Sequence, residues 1–157
     1  MGAPAPQNWG DMKRLLLGLA LMTQLAAAKG LNVTSMLGPH SPQGEWDPSV
    51  SWDAHALWTV DQMVMVGPGV GYEGGPGAYL PVTAKLMVRL PAGRQAMPYV
   101  DGELGVAVRD VLSDSFLAWK FGAGIDQKLG DRSSILVGGG FQTHEQFYLR
   151  VGLLLEL

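Results

Sequence analysis

Along most of this chain, apolar and polar residues alternate one by one. A two-residue period places unlike side chains on opposite sides of an extended strand. Five windows show it most clearly. In 49–60, Val50, Trp52, Ala54, Ala56, Trp58 and Val60 form one face, and Ser51, Asp53, His55, Leu57 and Thr59 the other. In 79–90, Leu80, Val82, Ala84, Leu86, Val88 and Leu90 oppose Pro81, Thr83, Lys85, Met87 and Arg89. In 98–109, Val100, Leu104, Val106 and Val108 oppose Tyr99, Asp101, Glu103, Ala107 and Arg109. In 116–129, Leu117, Trp119, Phe121 and Ile125 oppose Ala118, Lys120, Gly122, Asp126 and Lys128. The last window sets Leu149, Val151, Leu153, Leu155 and Leu157 against Tyr148, Arg150, Gly152 and Glu156. Weaker alternation at 31–37, 63–72 and 134–144 brings the expected strands to eight, and no window reads as a helix of the folded domain. The links between strands are short enough for an antiparallel up-and-down meander. Pro68 cannot donate to a ladder, so a bulge or an early strand end is expected there.

Eight strands of about ten residues fit a barrel, and tilted strands of ~9–11 residues fit a bilayer. A soluble barrel buries its apolar face, whereas a membrane barrel turns that face to lipid. Periodicity is the same in both; residue size favours the membrane solution, although a soluble barrel with its charges facing water would also tolerate a mixture of signs. The apolar face is rich in Leu, Val and Trp. The opposite face carries Gly105, Ala107, Ala118, Gly122, Gly124, Gly138, Gly140 and Gly152, which leave room inside a narrow barrel for long polar side chains. Those side chains are of both signs: Lys85, Arg89, Arg109, Lys120, Lys128 and Arg150 with Asp53, Asp101, Glu103, Asp126 and Glu156. Buried charges must pair, and a near-balanced face suits a lumen closed by pairs such as Lys85 or Arg109 with Asp101 or Glu103. The fold expected is therefore all-β, an eight-stranded antiparallel up-and-down transmembrane barrel. Its lumen network would comprise Asp53, Lys85, Arg89, Asp101, Glu103, Arg109, Lys120, Asp126 and Arg150. Its lipid-facing wall would include Trp52, Trp58, Leu86, Val106, Trp119, Leu153, Leu155 and Leu157.

Composition narrows the class. Of 157 residues only 16% are charged, 22 are glycine and none is cysteine. A net charge of −3 without a basic run excludes a nucleic-acid binder, and 47% apolar content excludes a disordered chain. No disulfide scaffold is available. Near the start, Met12-Lys13-Arg14, an apolar run at 15–25 and Ala26-Ala27-Ala28 have the three-part layout of a secretory leader, with cleavage expected after Ala28. Residues 1–11 would then be a mis-assigned start or an extension, 12–28 the leader and 29–157 the barrel.

The C-terminal apolar comb resembles the last-strand signal of bacterial outer-membrane proteins, although that signal usually ends in an aromatic residue and here ends in Leu157. PYVDGELGVAVRD (98–110) and FLAWKFGAGIDQKLGDRSSILVGGGFQ (116–142) are similar to strands of the small outer-membrane barrels of the OmpA/OmpX-like kind. The resemblance spans about 31–157 and is a fold-level pattern. It implies a place in the bacterial outer membrane, both termini in the periplasm, and outward loops at 38–48, 73–78, 110–115 and 144–147. Outer-membrane lipid and lipopolysaccharide would surround the wall, and the barrel-assembly machinery would engage the C-terminal strand. Candidates for an aromatic belt are Trp46, Trp52, Trp58, Tyr72, Tyr79, Tyr99, Trp119, Phe141 and Phe147.

Chemistry is sparse. His40, His55 and His144 show no metal-ligand spacing. A Ser-His-Glu hydrolase assembled from Ser113 or Ser133 with His144 and Glu145 has no supporting motif; His144 reads better as a solvated loop residue. The glycine-rich run at 67–77 lacks the Lys-Ser/Thr of a phosphate loop. No cofactor and no enzymatic activity are expected. The leading expectation is an outer-membrane barrel with a structural or interaction role and at most slight pore activity. The alternatives are a soluble lipocalin-like barrel with Trp52, Trp58 and Trp119 lining an apolar cavity, and an outer-membrane lipid hydrolase.

Overall fold

The computed structural model describes residues 30–41, 49–75, 77–93, 95–109 and 114–157, apart from the side chain of Glu145. The leader and extension read at 1–28, Trp46 and Ser113 lie outside the described residues. Eight strands follow one another: β1 (Leu31–Ser41), β2 (Ser49–Asp61), β3 (Val64–Glu73), β4 (Leu80–Arg89), β5 (Ala96–Arg109), β6 (Asp114–Lys128), β7 (Ser133–Gln142) and β8 (Gln146–Glu156). Each pairs antiparallel with the next, and β8 returns to β1 to close the barrel. The chain is an eight-stranded antiparallel transmembrane β-barrel. The end where β1, β3, β5 and β7 finish is the loop end; the end with the β2–β3, β4–β5 and β6–β7 connections and the start of β1 is the turn end.

Alternation sets which face goes where. On β2, Ser51, Asp53, His55 and Leu57 are buried while Val50 and Trp52 are exposed. On β4, Pro81, Thr83, Lys85 and Met87 are buried while Leu80, Val82 and Leu86 are exposed. The predicted wall residues Trp52, Leu86, Val106, Trp119, Leu153, Leu155 and Leu157 are all exposed, and Trp58 is half-buried on the same outward face. The lipocalin-like alternative is thereby overturned, because the tryptophans look away from the barrel axis.

Pro68 sits within β3 without a bulge. The pairing of β3 with β4 runs through it, Pro68 opposite Ala84. Pairing with β2 lapses between His55–Gly69 and Trp58–Val66, and the register is the same on both sides of the lapse. The register shift falls instead between Thr59 and Asp61, beside the turn. One lost proline donor is therefore absorbed by a gap in one ladder rather than by an extra residue.

The exposed aromatics gather toward the loop end. Trp52 lies opposite Tyr72, and Phe121, Phe141 and Phe147 lie opposite one another across β6, β7 and β8. The Phe141 and Phe147 rings meet edge to face with centroids 5.8 Å apart. Toward the turn end the wall is mostly aliphatic. Tyr79 and Tyr99, expected in the belt, instead point inward and are buried. Both belong to the inward parity, and each has an interior niche described below.

Candidate functional site

The interior is stacked in layers along the axis. At the loop end Tyr79, Ala107 and Ala118 are buried, with Phe116 packed against them. The rings of Tyr79, Phe116 and His144 form a triangle, with centroid separations of 5.1, 5.1 and 6.4 Å. His144 occupies the short 3-10 turn Thr143–Glu145 at φ 65, a left-handed conformation unusual for a non-glycine residue. Beneath this aromatic layer lies an ionic one. Below that, Met36, Leu57, Met65, Met87, Tyr99, Leu136 and Leu154 form an apolar layer. The Arg89–Asp126 pair lies at the turn end, its atoms 2.6 Å apart.

The ionic layer follows from the two-residue period and the register together. Inward positions two apart deliver Asp53 and His55 from β2, Thr83 and Lys85 from β4, and Asp101 and Glu103 from β5. The register then sets Lys85 opposite Glu103, Glu103 opposite Lys120, and Lys120 opposite Gln142. Lys85 Nζ lies 2.6 Å from Asp101 and 3.1 Å from Glu103. Lys120 reaches away from its own neighbours to Glu73, 2.7 Å, and Asp53, 3.4 Å. Arg150 on β8 contacts Asp53 on β2 and reaches Glu73 on β3 at 2.7 Å. It also donates to Ser51 Oγ and Gln142 Oε1, each at 3.2 Å, and its guanidinium lies 4.7 Å from the Tyr148 ring centroid. Both ring nitrogens of His55 face carboxylates: Nε2 is 3.3 Å from Glu103 and Nδ1 3.6 Å from Asp53. Each cation has two carboxylates within reach, the arrangement that offsets the several-kcal/mol cost of removing an ion from water.

Eight of the nine predicted network residues meet in two groups. Asp53, Lys85, Asp101, Glu103, Lys120 and Arg150 lie in the central layer, with Asp101 joined through Lys85. Arg89 and Asp126 form a separate pair at the turn end. Arg109 corrects the expectation that it pairs with Asp101 or Glu103. It points inward but sits at the rim, donates to the Gly77 carbonyl at 3.1 Å, stacks over Phe116 and lies 3.9 Å from Asp114. Parity alone had put it with the others; its place at the last residue of β5 carries it out of the layer. Lys128 and Glu156 are exposed, again as strand-terminal residues.

Four partners escape the sequence reading. Glu73, wholly buried, and His40 had been placed in loops. Backbone bonds in both directions between Glu73 and Tyr79 extend the hairpin past the glycine run, while Gly75 and Gly77 take positive φ to close it. Glu73 thereby becomes an inward strand residue that also receives His40 at 3.5 Å and Gln142 at 3.2 Å. Gln142 is wholly buried at the end of β7. Tyr148 takes the inward face its parity predicts and lies against the Arg150 guanidinium, a contact that parity does not announce.

The small-residue face has a defined use. A Cβ on Gly138 would sit 2.3 Å from the Tyr99 hydroxyl, and one on Gly122 2.2 Å from that of Tyr148. The two tyrosines lie flat across β6 and β7 in the space the missing side chains leave. Gly138→Val is expected to expel Tyr99 and to destabilise the barrel by about 1–3 kcal/mol through overpacking. Urea unfolding in lipid vesicles measures it; Tyr99→Ala in the same background should relieve part of the loss.

Among the described residues, Ser133 and His144 are not brought together. Ser133 begins β7 at the turn end and His144 follows its loop-end terminus, so a strand length separates them. Among the described residues, no group of three or more His, Cys, Asp or Glu is placed to hold a metal ion.

No protein-family model matches the sequence, and neither does any curated protein. Solved structures do resemble the fold. Neisserial surface protein A superposes with a TM-score of 0.63 at 10% identity, over 82% of this chain and 96% of that one. The N-terminal β-barrel domain of Pseudomonas aeruginosa OprF gives 0.61 at 11% identity, over 82% and 100%. The outer membrane enzyme PagL gives 0.55 at 14% identity, over 80% and 99%. At such identities the likeness establishes the architecture, that of small outer-membrane barrels, and leaves the role to the residues of this chain.

Proposed function

We propose that this chain is an integral protein of the bacterial outer membrane with a structural or interaction role and a lumen closed by its own side chains. One observation carries the reading: ionic side chains from opposite walls meet above a dry layer. Arg150 and Lys120 cross the interior to Asp53 and Glu73, while Leu57, Met65, Met87 and Leu136 beneath them are 0–1% exposed. The void among Met36, Lys85, Tyr99, Asp101, Glu103, Tyr148 and Arg150 is about 10 Å³, space for at most one water. Hydrated ions find no continuous path through such packing. Planar-bilayer recording is expected to show no large, steady conductance, and a stable open channel would refute the closed lumen. Export through a leader at 12–28, contact of the wall with outer-membrane lipid and lipopolysaccharide, and recognition of β8 by the assembly machinery belong to the same proposal. So does the absence of enzymatic activity, which the separation of Ser133 from His144 supports. Cell fractionation tests the location: recovery in the outer-membrane fraction, with faster gel migration before boiling than after, is the expected result, and release by high salt the contrary one.

A further inference from the structure

The turn end of the barrel opens into a cleft of about 530 Å³ lined by Gln62, Met63, Arg89, Leu90, Pro91, Gly93 and Met97. Its volume lies in the range of pockets that enclose small organic ligands, ~300–1,000 Å³. Most of its wall is apolar, and two of its side chains are methionines, which adapt to irregular apolar guests. Among the described residues, Arg89 supplies the cleft's cationic head. The guanidinium is anchored on one side, with Nη2 2.6 Å from Asp126. Arg89 Nε and both Asp126 oxygens are buried without hydrogen-bond partners among the described residues, so the pair is held as an ion pair and does not use up the guanidinium's donors. A guanidinium offers five donors in a planar fork, and one used edge leaves the rest for a second anion. Asp126 is wholly buried, so it fixes the guanidinium from behind rather than competing from the cleft.

The geometry points to a binding site for a single-chain amphiphile with a carboxylate head, such as a fatty acid entering from the turn side. The carboxylate accepts from the Arg89 guanidinium donors that Asp126 leaves free, and the alkyl chain lies against Met63, Leu90, Pro91 and Met97. The ionic layer plays no part in this site, which is separated from it by Met65 and Met87. Failure of the test below therefore leaves the closed-lumen reading intact, and the reverse also holds.

The test uses the full barrel in lipid nanodiscs with its methionine methyl groups isotope-labelled. Sodium octanoate is titrated below its aggregation threshold, with octanol as the uncharged comparison. Saturable shifts at Met63 and Met97 are expected with octanoate and not with octanol. In Arg89→Gln/Asp126→Asn, which removes both charges and leaves no buried ion alone, the octanoate affinity is expected to fall at least tenfold. Met97→Glu, which places a repelling charge on the wall, should produce a similar loss. Gel migration before and after boiling identifies which variants fold. Unsaturable shifts, equal binding of octanol, or wild-type affinity in either folded variant would overturn the assignment.

Discussion

Arg150→Met is expected to lower the stability of the barrel by about 3–5 kcal/mol, the scale of loss when one partner of a buried ion pair is removed. The side chains are close in volume, so packing contributes little and the deficit is electrostatic. Asp53 loses Arg150 and keeps Lys120 at 3.4 Å; Glu73 loses a donor at 2.7 Å and keeps Lys120 on the same oxygen. Adding Asp53→Asn to Arg150→Met removes the surplus negative charge while preserving the Lys120–Glu73 contact, and should recover more than half of the loss. Reversible urea unfolding in vesicles gives both numbers. A loss below about 1 kcal/mol, the size of a solvated surface pair, would mean that water reaches Arg150 and that the layer is not closed.

The second large effect concerns the outer wall. Leu104 lies in the middle of β5, opposite Ala84 on β4 and Trp119 on β6, and is 58% exposed. Leu104→Arg is expected to destabilise the barrel by about 2–4 kcal/mol, as a cation at the bilayer midplane does. The same change at Leu80, the first residue of β4 and 56% exposed, should cost only about 0–1 kcal/mol near the interface. Exposure is nearly equal at the two sites, so the contrast reports depth in a bilayer and nothing else. Equal costs would indicate a wall in water.

The strands and their two faces were legible in the sequence because each needs only local information: a period of two and a difference in residue size. Asp53, Lys85, Asp101, Glu103, Lys120 and Arg150 could be assigned to the interior for that reason. Of their pairings, that of Lys85 with Asp101 and Glu103 on the next strand was legible; the others were not, because they depend on register summed around the barrel. Nothing local says that Arg150 reaches Asp53 and Glu73 rather than a neighbour on β7. Strand ends were equally opaque. Glu73 precedes a glycine run that looks like loop, and only its backbone pairing with Tyr79 shows that the ladder continues. Arg109 erred in the other direction, being right in parity and wrong in depth. That Met36, Met65 and Met87 join one apolar layer was not legible, since alternation registers which side a residue takes and not the layer it joins.

The pairing of β8 with β1 has a further consequence. A sheet whose first and last strands bond to each other offers no unpaired row of amides along its flank. A partner chain cannot dock here by adding a strand of its own, the mode open sheets allow. Recognition of the folded barrel is left to side chains, either those at its two mouths or those of the greasy girdle. In that girdle the rings crowd toward one rim, so its two halves present different chemistry to whatever lies alongside.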